Sequence, residues 1–227
     1  VIPDKNYFLG AGNGYLSIDY EKMISLLTEK TTFLKYIDIT KDLEISDYYK
    51  TDTHWREENI VDVAEKIGNG METDVKAEYE EKTLDVDFYG VYYGQSALPL
   101  EAEKIKYLEN EALKNCKVYD FQNGKEISVY DMEKGKGKDP YEFFLGGPLS
   151  LVTIENANAK TDKELIIFRD SFGSSIAPLL VEGYKKITLV DIRYMHPNLL
   201  ENYIEFDSQD VLFLYSTSVL NNSETIK

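Results

Sequence analysis

The residue types needed for nucleophilic acyl transfer occur in two short stretches of the chain. The first is residues 52–55 (Asp-Thr-His-Trp) and the second is residues 169–173 (Arg-Asp-Ser-Phe-Gly). A serine hydroxyl is a poor nucleophile until an imidazole takes its proton and a carboxylate orients that imidazole. The chain has two histidines, His54 and His196, and His54 stands two residues after an aspartate. The two stretches together therefore hold an acid, a base and a nucleophile.

The spacing of Asp52 and His54 predicts a hydrogen bond between them if the backbone is extended. Residues two apart then point to the same side, with α-carbons roughly 6.6 Å apart at about 3.3 Å per residue. Asp52 could accept the proton on one ring nitrogen and leave the other nitrogen free as a base. Residues 48–51 favour an extended approach and residues 56–67 predict a helix, so we expect the pair in a strand or loop that feeds a helix. The alternative is a surface hydrogen bond without catalysis.

Ser171 is predicted to lie at a corner between a strand and a helix. The apolar run 165–168 is typical of a strand, residues 174–181 carry apolar side chains at helical spacing, and Gly173 supplies the turn. Backbone N–H groups at such a corner can stabilise an oxyanion. Arg169 stands where the G-x-S-x-G elbow of common esterases has its first glycine. The structural alternative is that Ser171 only caps the helix.

These stretches, in this order, resemble the DHHW family of bacterial cell-surface proteins and the related alginate O-acetyltransferases with an SGNH-hydrolase-like fold. Residues 88–94 (FYGVYYG), 143–147 (FFLGG) and 190–194 (VDIRY) extend the likeness over most of the chain. The resemblance implies a catalytic triad in which Ser171 is the nucleophile, His54 the base and Asp52 its orienting acid.

Two positions depart from the family pattern. Thr53 replaces the second-position histidine that gives DHHW its name, although the alginate enzymes resemble this chain there. SGNH hydrolases generally use a glycine amide and an asparagine side chain in the oxyanion hole. Asn123, Asn156 and Asn158 are candidates only by their position near glycine or turn segments, so they are left out of the predicted site.

The last third of the chain alternates strand and helix signals. Strand candidates at 165–168, 187–190 and 211–215 are separated by helical candidates at 174–182 and 198–204, which predicts a β-α-β-α-β unit and a parallel sheet. With the resemblance, this predicts an α/β, SGNH-hydrolase-like (flavodoxin-like) three-layer sandwich with a mainly parallel sheet. We expect residues 1–227 to form a single domain.

Three side chains are candidates for substrate binding. Arg193 follows a predicted strand end and could hold a carboxylate or phosphate, or it pairs with Asp191 or Asp170. Trp55, next to His54, is either a stacking wall for carbohydrate or part of the core. Tyr93 lies in a glycine- and tyrosine-rich stretch that predicts a sugar-binding face or the packing of strand aromatics. We therefore predict substrate contacts for Trp55, Tyr93 and Arg193.

His196 is the rival base. It precedes Pro197, which favours an extended conformation before a helix, and its nearest upstream acid is Asp191. A zinc site built from Asp52, His54 and His196 has suitable ligand types but no standard motif. We therefore expect neither a metal nor another cofactor, and metal-dependent hydrolysis remains the weakest alternative.

Composition limits the partners of the protein. With 227 residues and 43% hydrophobic content the chain can bury a substantial core. Its net charge of −16 would repel nucleic acid and anionic membrane surfaces. The same charge makes an alginate-like polyanion a weaker substrate than a neutral or cationic glycan. The single cysteine, Cys116, can form no internal disulfide.

The resemblance implies an O-acetyltransferase or acetylesterase that acts on a cell-envelope or extracellular polysaccharide through an acyl-serine intermediate. It also implies an extracytoplasmic location, with an N-terminal signal or anchor outside this sequence, and a membrane-bound acetyl-donor protein as a possible partner. The main alternative is a non-catalytic glycan-binding or scaffold protein of a cell-envelope assembly. That alternative predicts that Asp52 faces solvent or that Ser171 lies far from His54.

Overall fold

The computed structural model describes residues 1–97 and 99–226 and has an α/β fold. The helices are α1 (Lys5–Asn13), α2 (Tyr20–Lys30), α3 (Val61–Gly70), α4 (Val91–Ser96), α5 (Glu111–Asn115), α6 (Gly173–Ile176) and α7 (Thr217–Asn221). The strands are β1 (Glu80–Thr83), β2 (Lys106–Glu109), β3 (Lys117–Asp120), β4 (Lys125–Ile127), β5 (Leu151–Glu155), β6 (Glu164–Arg169), β7 (Lys186–Val190) and β8 (Asp210–Leu214). Short 3₁₀ helices connect several of these elements.

The main sheet has six strands in the order β4-β3-β5-β7-β6-β8, and β1 pairs with β2 in a separate two-stranded sheet. Strand β6 runs parallel to β7 and β8, whereas the β3–β4, β3–β5 and β5–β7 pairs are antiparallel. The prediction of a mainly parallel sheet is therefore wrong. The β3–β4 pair is antiparallel because the tight connection between the two strands forms a hairpin, and such short connections join antiparallel strands.

The three strands predicted in the last third are β6, β7 and β8, and they are parallel as predicted. The helix predicted at 174–182 is divided into α6 and a 3₁₀ helix at Ala177–Gly183. Pro178 explains the change, since it lacks an N–H and its ring crowds the preceding turn. The helix predicted at 198–204 is a 3₁₀ helix at Pro197–Asn202.

Core residues lie on both faces of the main sheet. One face carries the larger apolar cluster, which packs against α3, α6 and the 3₁₀ helix at Ala177–Gly183. The opposite face carries a smaller cluster that includes Leu200 and Ile204, from the segment around Pro197–Asn202. The third layer of the predicted sandwich is therefore only partial. Within the described part of the chain, no helix is long and apolar enough to cross a membrane.

Glu57 is an acid sealed in the core beside the predicted site, at 0% exposure. Its carboxyl accepts the Leu108 N–H at 2.8 Å and lies 3.1 Å from the Tyr130 hydroxyl, which itself donates to the Leu108 carbonyl. Burial raises the pKa of Glu57 well above the ordinary value, although the hydrogen bond from the Leu108 N–H opposes that rise. The protonated form therefore fits this environment.

We predict that Glu57→Gln, which mimics the protonated acid, removes a pH dependence of stability. Above the ordinary carboxyl pKa, the folded state keeps a proton that the unfolded chain has lost. The wild-type free energy of unfolding therefore falls as pH rises towards the raised pKa, by up to about 1.4 kcal/mol per pH unit. Urea unfolding across this pH range should show that the free energy of unfolding of Glu57→Gln rises relative to that of the wild type as pH rises. Glu126→Gln, at an exposed position on strand β4, serves as the control. A difference that does not change with pH contradicts the prediction.

Candidate active site

A tight loop, rather than an extended strand, brings Asp52 and His54 to the same side. Tyr48 and Trp55 pair across the loop as an antiparallel bridge, and the Tyr49 N–H donates to the His54 carbonyl. Within the loop the His54 N–H donates to Oδ2 of Asp52 at 3.2 Å, a turn that aspartate side chains favour. The loop then leads into a 3₁₀ helix at Glu57–Asn59 and into α3, as the sequence predicts.

Asp52, His54 and Ser171 form one chain of hydrogen bonds. His54 Nδ1 lies 2.5 Å from Asp52 Oδ2, and His54 Nε2 lies 2.7 Å from Ser171 Oγ. Because a carboxylate only accepts, the proton belongs on Nδ1 and Nε2 is free to accept from the serine hydroxyl. Asp52 and His54 are buried, whereas Ser171 is partly exposed. A substrate from solvent therefore meets the hydroxyl first.

The Asp52 carboxylate is held in its ionised form. Burial raises its pKa, but hydrogen bonds from His54 and from the Val91 N–H outweigh burial and leave the pKa below its usual value. Val91, the first residue of α4, donates to Oδ1 at 2.9 Å. The backbone at residue 90 can come this close to Asp52 only because it is a glycine, since a Cβ there would lie 2.2 Å from the Cβ of Asp52. The glycine of the FYG stretch thus allows the backbone to pack directly on the acid.

Glu103 braces the same loop from outside the two predicted stretches. Its carboxylate accepts the Lys50 N–H at 2.9 Å and both the N–H and hydroxyl of Thr51 at 2.7 Å, and Arg56 pairs with it. These bonds keep the pKa of Glu103 below its ordinary value although burial raises it. Glu103 is not predictable from the sequence motifs, because a carboxylate about fifty residues away carries no local signal of this contact.

Tyr141 packs flat against the ring of His54. The ring centroids are 3.8 Å apart with 10° between the planes, and Phe172 contacts His54 at 4.9 Å. The Tyr141 hydroxyl lies 2.8 Å from Ser175 Oγ, which also accepts the indole N–H of Trp55 at 2.8 Å. The imidazole of His54 is therefore held at its edge by Asp52 and on its face by Tyr141.

The prediction that Trp55 forms a sugar-stacking wall is wrong. Trp55 is 0% exposed and packs edge-to-face on Phe172 at 5.3 Å, with its indole N–H bound to Ser175. No face of the indole is open to a ligand. Its role is structural, because it anchors the loop after His54 to α6.

Asp170 shapes the turn that carries the nucleophile. One carboxylate oxygen accepts the Phe172 N–H at 3.1 Å, and the other accepts the Ser216 N–H at 2.8 Å, beyond the end of β8. Gly173 is required because a Cβ there would lie 2.7 Å from the buried Arg169 side chain. The sequence predicts Asp170 only as a possible partner of Arg193 and gives no sign of this role.

Among residues 171–173, Ser171 has the one backbone N–H without a described acceptor. The Phe172 and Gly173 N–H groups are taken by the side chain and carbonyl of Asp170. Two of the three asparagines left out of the predicted site have side chains that bond elsewhere: Asn123 donates to Asp120, and Asn156 donates to the Val181 carbonyl and accepts the backbone N–H of Asn158. An amide donor for an oxyanion is therefore available at Ser171 itself.

Arg193 and Tyr93 have structural partners. Arg193 binds Asp191 through two bonds, Nε to Oδ1 at 2.9 Å and Nη2 to Oδ2 at 2.6 Å. Tyr93 lies on α4, not on the strand that its surroundings suggest, and packs on Tyr89 at 4.6 Å. Neither side chain has a described contact with Asp52, His54 or Ser171. Their roles in substrate binding stay predictions.

His196 does not join the site. It is exposed at the start of the 3₁₀ helix Pro197–Asn202, where Nδ1 accepts the Asn198 N–H at 3.3 Å. Residues 1–97 and 99–226 contain no group of three or more histidines, cysteines or acidic residues that could hold a metal ion. The arrangement of Asp52, His54 and Ser171 can carry out proton transfer and nucleophilic attack by its own side chains.

The fold is similar to several solved structures. A DHHW family protein from Eubacterium siraeum matches with a TM-score of 0.77 and 24% identity, over 99% of this chain and 79% of that chain. Bacillus cereus PatB1 with a sulfonyl adduct matches with a TM-score of 0.70 and 20% identity, over 97% and 81% of the two chains. A second PatB1 structure matches with a TM-score of 0.65 and 18% identity, over 97% and 82%.

No protein-family model and no curated protein matches the chain. At the identities of the structural matches, the likeness is one of fold. The chain therefore shares the fold of a DHHW family protein, as the resemblance of its sequence motifs predicts.

Proposed function

We propose that the protein is a serine acyl-transfer enzyme, an O-acetyltransferase or acetylesterase that acts on a glycan. The observation that carries the proposal is the continuous chain of hydrogen bonds from Asp52 through His54 to Ser171 Oγ. In this geometry the serine proton already faces the acceptor nitrogen. The buried carboxylate of Asp52 stabilises the positive charge that forms on the imidazole when it takes that proton.

The proposed reaction has two half-reactions at Ser171. Its oxygen attacks the acetyl carbonyl while His54 Nε2 takes the hydroxyl proton, and the Ser171 N–H faces the oxygen that becomes negative. The tetrahedral intermediate collapses, and His54 returns the proton to the leaving oxygen, which gives an acetyl-serine. A sugar hydroxyl or water then gives up its proton to His54 and attacks the acetyl carbon. As the bond between the acetyl carbon and Ser171 Oγ breaks, His54 returns the proton to Oγ, which restores the free serine. Transfer and hydrolysis differ only in that second nucleophile.

The substrate class rests on the resemblance and on charge. A net charge of −16 favours a neutral or cationic glycan over a polyanion. We assign the acetylated carbohydrate to this site, with the half-buried Tyr93 on α4 and its exposed neighbour Tyr89 as candidate contacts for a sugar ring. An extracytoplasmic location, a membrane-bound acetyl-donor protein and a single-domain chain remain part of the same proposal.

The binding-only alternative predicts a disconnected site. The buried Asp52 and the 2.7 Å separation of His54 Nε2 from Ser171 Oγ give it no support. Activity measurements therefore decide between the two functions.

We predict that the wild-type protein releases 4-nitrophenol from 4-nitrophenyl acetate and that Ser171→Ala and His54→Ala each reduce kcat/KM at least a hundredfold. The reason is that each substitution breaks the proton path at one end. Ser218→Ala, an exposed serine on α7, should retain full activity and controls for general effects. Hydrolysis unchanged by Ser171→Ala would refute the proposal, and an inactive wild type should be retested with an acetylated oligosaccharide before the binding alternative is adopted.

We predict that the ring of Tyr141, rather than its hydroxyl, supports catalysis. The stacked ring presents its negative face to the imidazolium that forms in the transition state. Tyr141→Leu should lower kcat about tenfold with KM nearly unchanged, and Tyr141→Phe should restore kcat to within about threefold of the wild type. Steady-state kinetics on both variants, with circular dichroism to verify folding, checks this. Equal losses in the two variants would assign the effect to the hydroxyl and Ser175 instead.

A further inference from the structure

A polar pocket of about 360 Å³ lies on the sheet face opposite α3 and α6. Its floor is a row of neighbouring strand residues, Thr153 on β5, Thr188 on β7 and Ile166 on β6. Glu164 and Lys186 begin β6 and β7 at one end of the floor. Ser171 follows the other end of β6, whose length is about 17 Å, so the pocket is separate from the proposed catalytic site.

Thr153 and Thr188 face this pocket with unpaired hydroxyls. Their residues are 5% and 6% exposed, and neither hydroxyl has a hydrogen-bond partner in the described part of the chain. Valine has the same branched shape and suits a strand as well. In the described part of the chain both hydroxyls are open to the pocket rather than enclosed, and the sheet itself makes no use of them, so they are available to a ligand that enters it.

The walls of the pocket combine aromatic and polar groups. Phe121 and Tyr203 are in edge-to-face contact at 5.9 Å, and Tyr203 is 51% exposed at the rim. The lining also contains the carboxylates of Glu164, Glu205 and Asp207, and the Gln209 amide, which is bonded to the backbone of Asp207 and Glu205. One cation, Lys186, lies among three carboxylates, so the pocket is net negative.

We propose that this pocket is a saccharide-binding site for a neutral or cationic sugar. Hydroxyls on the floor can both donate to and accept from sugar hydroxyls, and carboxylates accept hydrogen bonds from sugar O–H or ammonium groups. An exposed aromatic ring beside them suits the apolar face of a pyranose. The volume is within the range of ligand sites. The site would hold a glycan independently of acyl transfer, since Ser171 takes no part in it.

The test is calorimetric titration of the wild-type protein with three unacetylated tetrasaccharides: cationic chitosan tetramer, neutral cellotetraose and anionic tetragalacturonate. We expect binding of the first two and none of the third. The Thr153→Val/Thr188→Val double variant should bind about tenfold or more weakly, because each replacement removes one hydrogen-bonding hydroxyl. Its melting temperature should equal or exceed that of the wild type, which shows that the sheet is intact.

Tyr93→Ala serves as the matched control, since Tyr93 is the candidate sugar contact near the triad. Retained affinity in Tyr93→Ala together with a loss in the threonine variant supports the pocket. Loss in Tyr93→Ala but not in the threonine variant would assign the sugar to the catalytic site and overturn the inference. So would the absence of binding for all three probes, or tetragalacturonate binding best. None of these outcomes depends on esterase activity, so the proposed function and this inference can fail separately.

Discussion

The hydrogen bond between His54 and Ser171 joins two loops that are 117 residues apart in the chain, and much of the surrounding structure keeps those loops at this distance. A displacement of either loop by an ångström would break the proton path. The site therefore depends on rigid support from both sides. The support comes from carboxylates that accept backbone N–H groups, a type of bond stronger than one between neutral groups.

Each loop has its own carboxylate brace. Glu103 accepts hydrogen bonds from Lys50 and Thr51 on the side of the acid and base, and Asp170 accepts them from Phe172 and Ser216 on the side of the nucleophile. Asp170 also ties the nucleophile turn to the residue that follows the end of β8. The parallel strands β6 and β8 thus fix the position of Ser171. The antiparallel pairs lie elsewhere in the sheet and do not alter this parallel arrangement.

The types and spacing of Asp52, His54 and Ser171 marked them as candidates, and the family resemblance supplied the role of each. The pattern of residues 165–215 predicted three parallel strands. The antiparallel half of the sheet was not predicted, because β3 and β4 are short strands and their pairing depends on the geometry of the turn between them. Trp55 was assigned to a sugar wall because a single tryptophan next to a base has no sequence feature that reports its burial.

The positioning residues were the least predictable part. Glu103 and Tyr141 contact the site through long-range packing, and a single sequence contains no record of such contacts. Gly90 and Gly173 belong to the sequence motifs, but the motifs do not show why glycine is needed there. The reason is steric, because a Cβ at Gly90 would collide with Asp52 and one at Gly173 would collide with Arg169. The motif glycines and the catalytic residues are thus parts of one packing arrangement.

Covalent labelling tests most directly whether Asp52 and His54 activate Ser171. Phenylmethylsulfonyl fluoride transfers its sulfonyl group to an activated serine oxygen with loss of fluoride, and PatB1, which shares this fold, has been solved with a sulfonyl adduct. Mass spectrometry of the treated protein should find one adduct, on the peptide that contains Ser171, and none in His54→Ala. Labelling of other serines, or equal labelling of Ser171 without His54, would contradict the account.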